Sequence, residues 1–139
     1  MTIRIVRLGS ARVAGEGVRI GTVRRPPRGV AKARFAAEDW YDVWYPNLSP
    51  SPELMKLALS THADPQSAPA RKNWALFTRL FRKEMAAPDA ARSLDVLAAL
   101  SHGADFSIGC YCADEARCHR SVLRELLAER GASLWGSER

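Results

Sequence analysis

The stretch that decides the fold is "FSIGCYCADEARCHRSVLRELLAERG", from Phe106 to Gly131. It opens with a short apolar run, which predicts a buried strand from Phe106 to Cys112. After a polar gap, apolar residues recur at spacings of three and four, which predicts a helix from about Cys118 to Arg130 that ends at Gly131. A last short run, "ASLWG", completes a strand–helix–strand unit, so we expect a parallel pair with a right-handed crossover.

Two β-branched runs, "TIRIVRL" (2–8) and "VRIGTVR" (18–24), lie near the start of the chain. The glycine-rich segment "GSARVAGEG" separates them, which predicts that the two strands pair with each other through a turn. The aromatic run "DWYDVWYPN" stops at Pro46 and predicts a third strand. If the second run lies parallel to Phe106–Cys112, the polar ends of both strands share one edge of the sheet.

The middle of the chain reads as helices. Ser51 and Pro52 are typical of an N-cap and a first helical position. Two apolar stripes follow at helical spacing, and we assign both to the core: Trp74, Phe77, Phe81 and Met85 on one helix, and Leu94, Leu97 and Leu100 on a second helix over 89–100. The sequence therefore predicts a single α/β domain over residues 1–139. Its open sheet is at least partly parallel, with helices packed on its faces.

Composition limits the class of protein. A chain of 139 residues is long enough for one hydrophobic core without metal or disulfide support. No apolar run approaches the ~20 residues that cross a bilayer, and the first residues lack the pattern of a signal peptide. Three cysteines are few and odd in number, which argues against a secreted disulfide framework. We therefore expect a cytoplasmic protein with no membrane partner.

The formal net charge is +6, from 21 Lys and Arg against 15 Asp and Glu, and most of the cations are arginine. Arginine suits phosphate and carboxylate recognition, but a GC-rich genome would also favour it. Only clustered arginines therefore count as evidence, and "RRPPRG" supplies three of them, Arg24, Arg25 and Arg28, directly after a strand. A solvated basic loop remains the alternative reading of that cluster.

The three cysteines and a histidine lie in the opening stretch. Strand alternation places Cys110 and Cys112 on one face, and we assign Cys110 to the core as a small apolar residue. Helical spacing points Cys118 and His119 inward. Helix N-termini and neighbouring cations lower thiol pKa values, so Cys112, Cys118 and His119 are the candidate catalytic residues. Adjacent helix residues diverge by about 100°, so we expect His119 to face Cys112 and not Cys118.

Zinc would have the right ligand types in Cys110, Cys112, Cys118 and His119, but a Cys-x-Cys pair within a strand holds its thiols apart. We therefore predict no metal and no cofactor. The Cys-x5-Arg pattern of a phosphatase cradle is also absent, because Arg117 stands one position short.

An anion site is expected where strand ends meet a helix N-terminus. Arg120 lies beside that helix mouth, although local pairing with Asp114 or Glu115 is an open alternative. The candidate anion-binding residues are Arg24, Arg25, Arg28 and Arg120, and the candidate supporting residues are Asp42, Tyr45 and Asn47.

Four segments together resemble a known family: "TVRRPPRGV", "YDVWYPNLSPSPEL", "NWALFTRLFRKEM" and "CYCADEARCHRSVLRELL". They are similar to the domain of unknown function 488, and to its YeaO-like branch in particular. The triplet Cys118-His119-Arg120 looks like the form typical of the broader family. The resemblance implies a small cytoplasmic prokaryotic α/β protein whose activity is not established.

Two functions stay open at this point, with a zinc-stabilised interaction domain as a third reading. The first is binding of an anionic small molecule, a nucleotide or phosphorylated metabolite, with thiol-based chemistry that would make the protein an enzyme. The second is a non-catalytic nucleic-acid-binding module, indicated by the net charge and by aromatics that would stack on bases if exposed: Trp40, Tyr41, Trp44 and Tyr45. The sequence does not indicate an oligomeric state.

Overall fold

A computed structural model describes residues 1–136. Four parallel strands form one open sheet in the order β1-β4-β2-β3, with bounds β1 Ile3–Arg7, β2 Val18–Gly21, β3 Val43–Trp44 and β4 Phe106–Cys110. Leu134 adds a single parallel bridge to Ile3 after the last helix. The predicted α/β class with an open parallel sheet is confirmed.

The predicted pairing of the first two strands is wrong. β4 lies between β1 and β2, so that Ile108 is level with Ile5 on one side and Ile20 on the other. The segment "GSARVAGEG" is therefore a crossover between parallel strands and not a hairpin turn. Because β1 and β2 run parallel with β4 between them, their connection has to pass over one face of the sheet.

All four strands are shorter than their predicted runs. β3 has only two residues, and β4 ends at Cys110. The last ladder contacts of β4 are Thr22 N–H to Gly109 O at 3.0 Å and Leu8 N–H to Cys110 O at 2.9 Å. Tyr111 and Cys112 lie beyond these ladder bonds and outside the strand, and Tyr111 O instead accepts from the Arg7 side chain at 3.1 Å.

Four α-helices accompany the sheet, with bounds α1 Pro52–Leu59, α2 Ala68–Met85, α3 Pro88–Leu100 and α4 His119–Glu129. Ser51 caps α1 through its side chain, as predicted. The α2 stripe is core, with Phe77 and Phe81 fully buried, but Leu100 is 51% exposed and does not belong to the α3 stripe. The buried stripe continues instead through Ala98 and Ser101. No helix in residues 1–136 combines the length and the apolar character that a membrane crossing requires.

The helices share one core with one face of the sheet, through Ile3, Ile108 and Phe106. Loops cover the opposite face, where a buried ion pair lies that the sequence analysis did not identify. Arg19 Nε donates to Glu16 Oε2 at 2.8 Å, and both side chains are almost completely buried. Ser107 Oγ donates to the same carboxylate at 2.6 Å, which ties the crossover loop to β4.

The start of β2 depends on a glycine. Gly17 has φ +79°, and a Cβ at this position would lie 1.9 Å from the carbonyl oxygen of Asp105. Gly15, with φ +81°, has open space around the same position. We expect Gly15→Ala to cost about 1–2 kcal/mol for the left-handed backbone alone. Gly17→Ala should cost about 1–3 kcal/mol more, because the backbone of the neighbouring strand must move. Urea unfolding of the two variants measures the difference, and equal losses would contradict the close approach at Gly17.

Candidate thiol site

The site lies at the edge of the sheet where the parallel strands end. β4 ends at Cys110 and leads into Cys112. β2 leads into Thr22 and then into the segment "RRPPRG" (24–29), which we call the arginine loop, and α4 begins nearby. β2 and β4 are parallel neighbours, and Gly21 lies level with Gly109. Their carboxyl ends are therefore close together. The parallel alignment on which the shared edge depended is observed.

All three cysteines meet at this edge. Their sulfur atoms lie within 4.8 Å of one another, and Cys110 Sγ is 4.0 Å from Cys112 Sγ. The thiols are free: Cys110 and Cys118 are buried, and Cys112 is half-buried. Cys110 is buried as predicted, but it contacts the other two thiols and is not only a packing residue. We call Cys110, Cys112 and Cys118 the thiol cluster.

The expected separation of Cys118 from His119 is wrong. Cys118 is the N-cap of α4, with an extended backbone (φ −124°, ψ 148°), so the helical angle between neighbours does not apply. Its sulfur lies 3.8 Å from His119 Nδ1. His119 Nε2 is 2.7 Å from the carbonyl oxygen of Thr22, which only accepts hydrogen bonds, so Nε2 is the donor. The other ring nitrogen, Nδ1, is the atom that faces Cys118.

Arg120 lies inside the protein, not at the helix mouth where a ligand would reach it. Only 3% of the residue is exposed, so it is not available to a ligand in the way the sequence suggested. Its Nε donates to Cys118 Sγ at 3.3 Å, and its Nη2 donates to the carbonyl oxygen of Cys112 at 2.6 Å. Local pairing with Asp114 or Glu115 does not occur, and the positive charge faces the thiol cluster instead.

The three thiols differ in acidity. The pKa of Cys118 lies far below its usual value, because the Cys110 and Cys112 thiols donate hydrogen bonds to it and His119 adds a further favourable contact against the cost of burial. The pKa of Cys110 is strongly raised by its hydrogen bonds to the other two sulfurs and by burial. For Cys112, the contact with Cys110 lowers the pKa, but the contact with Cys118 and burial outweigh it and raise the pKa to about 11. These directions make Cys118 the most acidic of the three thiols, and the one at which a thiolate forms first.

The thiol cluster has the ligand type and spacing that a soft metal ion would need. The objection from Cys-x-Cys spacing is wrong, because Cys112 lies beyond the strand. The position of Arg120 argues against a metal, because its guanidinium Nε lies 3.3 Å from Cys118 Sγ. A cation in the cluster would meet this buried positive charge, so the absence of a metal stays our prediction.

A cavity of about 450 Å³ opens onto the cluster. Its polar lining comes from three residues of the arginine loop, Arg24, Arg25 and Arg28. Two of the thiols, Cys110 and Cys112, line the same cavity. Arg24 is held by the carbonyl oxygen of Pro50, at 2.8 Å from Nη2. Within residues 1–136, the guanidinium groups of Arg25 and Arg28 make neither an ion pair nor a hydrogen bond.

The three predicted supporting residues do not join this cavity. Asp42 precedes the short β3, so it lies away from the strand ends, and it pairs with Arg12 Nη1 at 2.8 Å. Tyr45 directs its hydroxyl to Ser93 Oγ at 2.5 Å. Asn47 is exposed in a one-turn 3-10 helix, Pro46–Leu48. Their assignment failed because it assumed a full-length third strand.

Sequence reasoning missed Thr22 and misjudged Cys110 and Arg120. Thr22 orients His119 through its main-chain carbonyl, a group that every residue has, so no side-chain pattern could reveal it. The "CHR" triplet did identify the right segment.

Comparison with known proteins gives a family. No curated protein and no solved structure is detectably similar to the chain. A family model described as "Active DUF488-N3 subclade" matches residues 3–131, which is nearly the whole chain. The more specific YeaO-like branch stays a prediction. The strand ends, the thiol cluster and the arginine loop all fall inside the matched region, and the chain belongs to the domain of unknown function 488 family.

Proposed function

We propose that the protein is a thiol-dependent enzyme that acts on a small anionic molecule, of the nucleotide or phosphorylated-metabolite class. The observation that carries the proposal is the cavity in which free arginines and a half-buried thiol, Cys112, line the same space. We also propose a cytoplasmic location, since three free thiols persist in reducing compartments.

The anionic ligand is assigned to the arginine loop. Arg25 and Arg28 are exposed and have no acidic partner within residues 1–136, so their charge is available to a ligand. Arg24 forms the fixed part of the wall through its bonds to Ser49 and Pro50. Guanidinium groups bind phosphate and carboxylate through two parallel hydrogen bonds, which favours ligands with planar or tetrahedral anionic groups.

The reacting thiol is assigned to Cys112, because it lines the cavity whereas Cys118 is buried. As the Cys112 sulfur bonds to an electrophilic centre of the substrate, the leaving group departs with the bonding electrons and takes the thiol proton. Arg120 and His119 both contact Cys118 Sγ, at 3.3 Å from Nε and 3.8 Å from Nδ1, and stabilise negative charge in the cluster.

Charge-selective alkylation tests both halves of the proposal. Iodoacetate carries a carboxylate and iodoacetamide does not, so the ratio of their rates reports the charge around the attacking sulfur. Glutathione is the reference thiol. We expect the ratio of the iodoacetate rate to the iodoacetamide rate to be higher for the folded protein than for glutathione, and inorganic phosphate to lower the protein's ratio. Arg28→Met should lower the ratio about two- to fivefold, the range expected for one partly exposed ion pair.

The matched control is Arg71→Met, which removes the same charge from an exposed position of α2 outside the cavity. Peptide mass spectrometry of the labelled protein identifies the modified cysteine. An unchanged ratio in Arg28→Met, or a label on Cys118 in place of Cys112, would overturn the respective assignment.

A further inference from the structure

We propose that Cys112 and Cys118 form a redox-active pair, which a hydroperoxide oxidises to a disulfide that closes the thiol site. The inference deepens the proposed function, since it uses Cys112 as the thiol that small molecules reach from the cavity. It assigns a modification site and a reversible loss of reactivity that the thiol-dependent reaction does not itself require.

The geometry favours this pair over the other two. The three sulfurs lie within 4.8 Å of one another, so one must move toward another by a few ångströms to reach the ~2 Å of a disulfide. Cys110 belongs to the central strand, and Leu8 N–H holds its carbonyl oxygen at 2.9 Å. Movement of Cys110 would therefore break the sheet, whereas Cys112 lies beyond the strand.

The connection between the pair lies between β4 and α4 and belongs to neither element. Residues 113–117 form a largely exposed segment with one short 3-10 turn, Glu115–Arg117, capped by the Asp114 side chain at 2.9 Å from Ala116 N. Cys118 is buried in an extended N-cap conformation, and its sulfur faces the other thiols and not the solvent. A disulfide between Cys112 and Cys118 closes a loop within this one segment and leaves the strands and α4 in place.

The reaction balances with a hydroperoxide as oxidant. The Cys112 sulfur bonds to the terminal peroxide oxygen, the O–O bond breaks, and the departing alkoxide or hydroxide takes the thiol proton. The product is a sulfenic acid at Cys112. The Cys118 thiolate then bonds to the Cys112 sulfur, the S–O bond breaks, and hydroxide leaves to be protonated by solvent. The pair has lost two electrons and the peroxide has gained them; a dithiol such as dithiothreitol reverses the change by thiol–disulfide exchange.

Tryptic mapping under non-reducing conditions tests the inference, because cleavage after Arg117 separates the cysteines. Cys110 and Cys112 stay on the peptide 93–117, and Cys118 lies on the tripeptide 118–120. After hydrogen peroxide treatment and blocking of the remaining thiols, we expect the two peptides to be joined. A bond between Cys110 and Cys112 would stay within one peptide and would contradict the assignment.

Variants identify the partners. Cys110→Ser should still give the joined peptides, and Cys112→Ser should not. In Cys118→Ser the oxidation should stop at a sulfenic acid on Cys112, which dimedone traps. Joined peptides from Cys112→Ser, or no joined peptides from Cys110→Ser, would overturn the proposal. Circular dichroism checks that each variant is folded.

The outcome is distinguishable from that of the proposed function. Failure of the anion preference with iodoacetate leaves the peroxide-dependent cross-link unaffected. Conversely, an anion-selective Cys112 that forms no cross-link refutes the redox pair and leaves the thiol-dependent function standing. Where the cross-link forms, dithiothreitol should restore the alkylation of Cys112 that peroxide removes.

Discussion

Replacing Arg19 with methionine will lower the free energy of unfolding by about 3–5 kcal/mol, the cost of removing one partner from a buried ion pair. Arg19 is fully buried, and it also donates from Nη1 to the carbonyl oxygens of Ser10 at 2.8 Å and Asp39 at 2.7 Å. The substitution leaves the Glu16 carboxylate without its cation and two carbonyl groups without a donor. Urea unfolding at neutral pH measures the loss, which is a large part of the ~5–15 kcal/mol typical of a domain.

Two controls separate the buried charge from general damage. The double variant Glu16→Gln/Arg19→Met should recover part of the loss, because the uncompensated charge is gone. Arg34→Ala removes one partner of the exposed Arg34–Glu38 pair and should cost no more than about 1 kcal/mol. A double variant as unstable as Arg19→Met would show that packing, not charge, carries the effect.

The Glu16–Arg19 ion pair also makes the free energy of unfolding depend on pH. Arg19 and Ser107 hold the pKa of Glu16 at about 2, against the effect of burial, whereas in the unfolded chain it is near 4.5. Because the pKa of Glu16 is lower in the folded protein, its ionised form stabilises the fold at pH values above the pKa of the unfolded chain. That contribution is lost as pH falls from about 4.5 toward 2. We expect the wild type to lose stability over this window, and Arg19→Met to lose less.

Replacing Arg120 with methionine will move the thiolate titration of the cluster to higher pH. The guanidinium lies 3.3 Å from Cys118 Sγ, and it favours the charged form of that thiol. Below the new midpoint we expect alkylation of the cluster to be about ten- to a thousandfold slower than in the wild type, the range that one close opposite charge produces. The ultraviolet absorbance of the thiolate gives the midpoint, and the rate of iodoacetamide labelling gives the loss of reactivity.

Arg71→Met again serves as the control for a change in net charge, and it should leave the midpoint unchanged. Methionine at position 120 keeps an unbranched apolar stem in the buried site, so loss of the fold is not the expected outcome. A folded Arg120→Met protein with the wild-type midpoint would show that the guanidinium does not hold the thiolate.

Much of the fold follows from local patterns. The stripe that ends at Met85 predicted α2, and Ser51 with Pro52 predicted the start of α1, because both features act within a few residues. The pairing of β1 with β2 was wrong for the opposite reason. The strand that separates them lies some 85 positions later in the chain, and no pattern near Gly9 or Gly17 reports its arrival.

The site divides in the same way. The sequence identified "CHR" and "RRPPRG", since strand ends and a helix start are local signals. It did not predict that β4 ends at Cys110, which depends on where β2 ends, and it therefore separated the thiols wrongly. The inward direction of Arg120 and the partnership of Glu16 with Arg19 depend on tertiary burial, which the order of residues does not display.

The central position of β4 has a consequence for synthesis on the ribosome. β1 and β2 make their ladder contacts with β4, and β4 is complete only when Cys110 has been added. Until then β1 has no partner and β2 has only the two-residue β3, so unpaired edges of both strands are exposed to other nascent chains. The sheet must therefore form late, after most of the chain has been made, and the thiol site with it. Long-range pairing of this kind also predicts slow folding for a protein of this size.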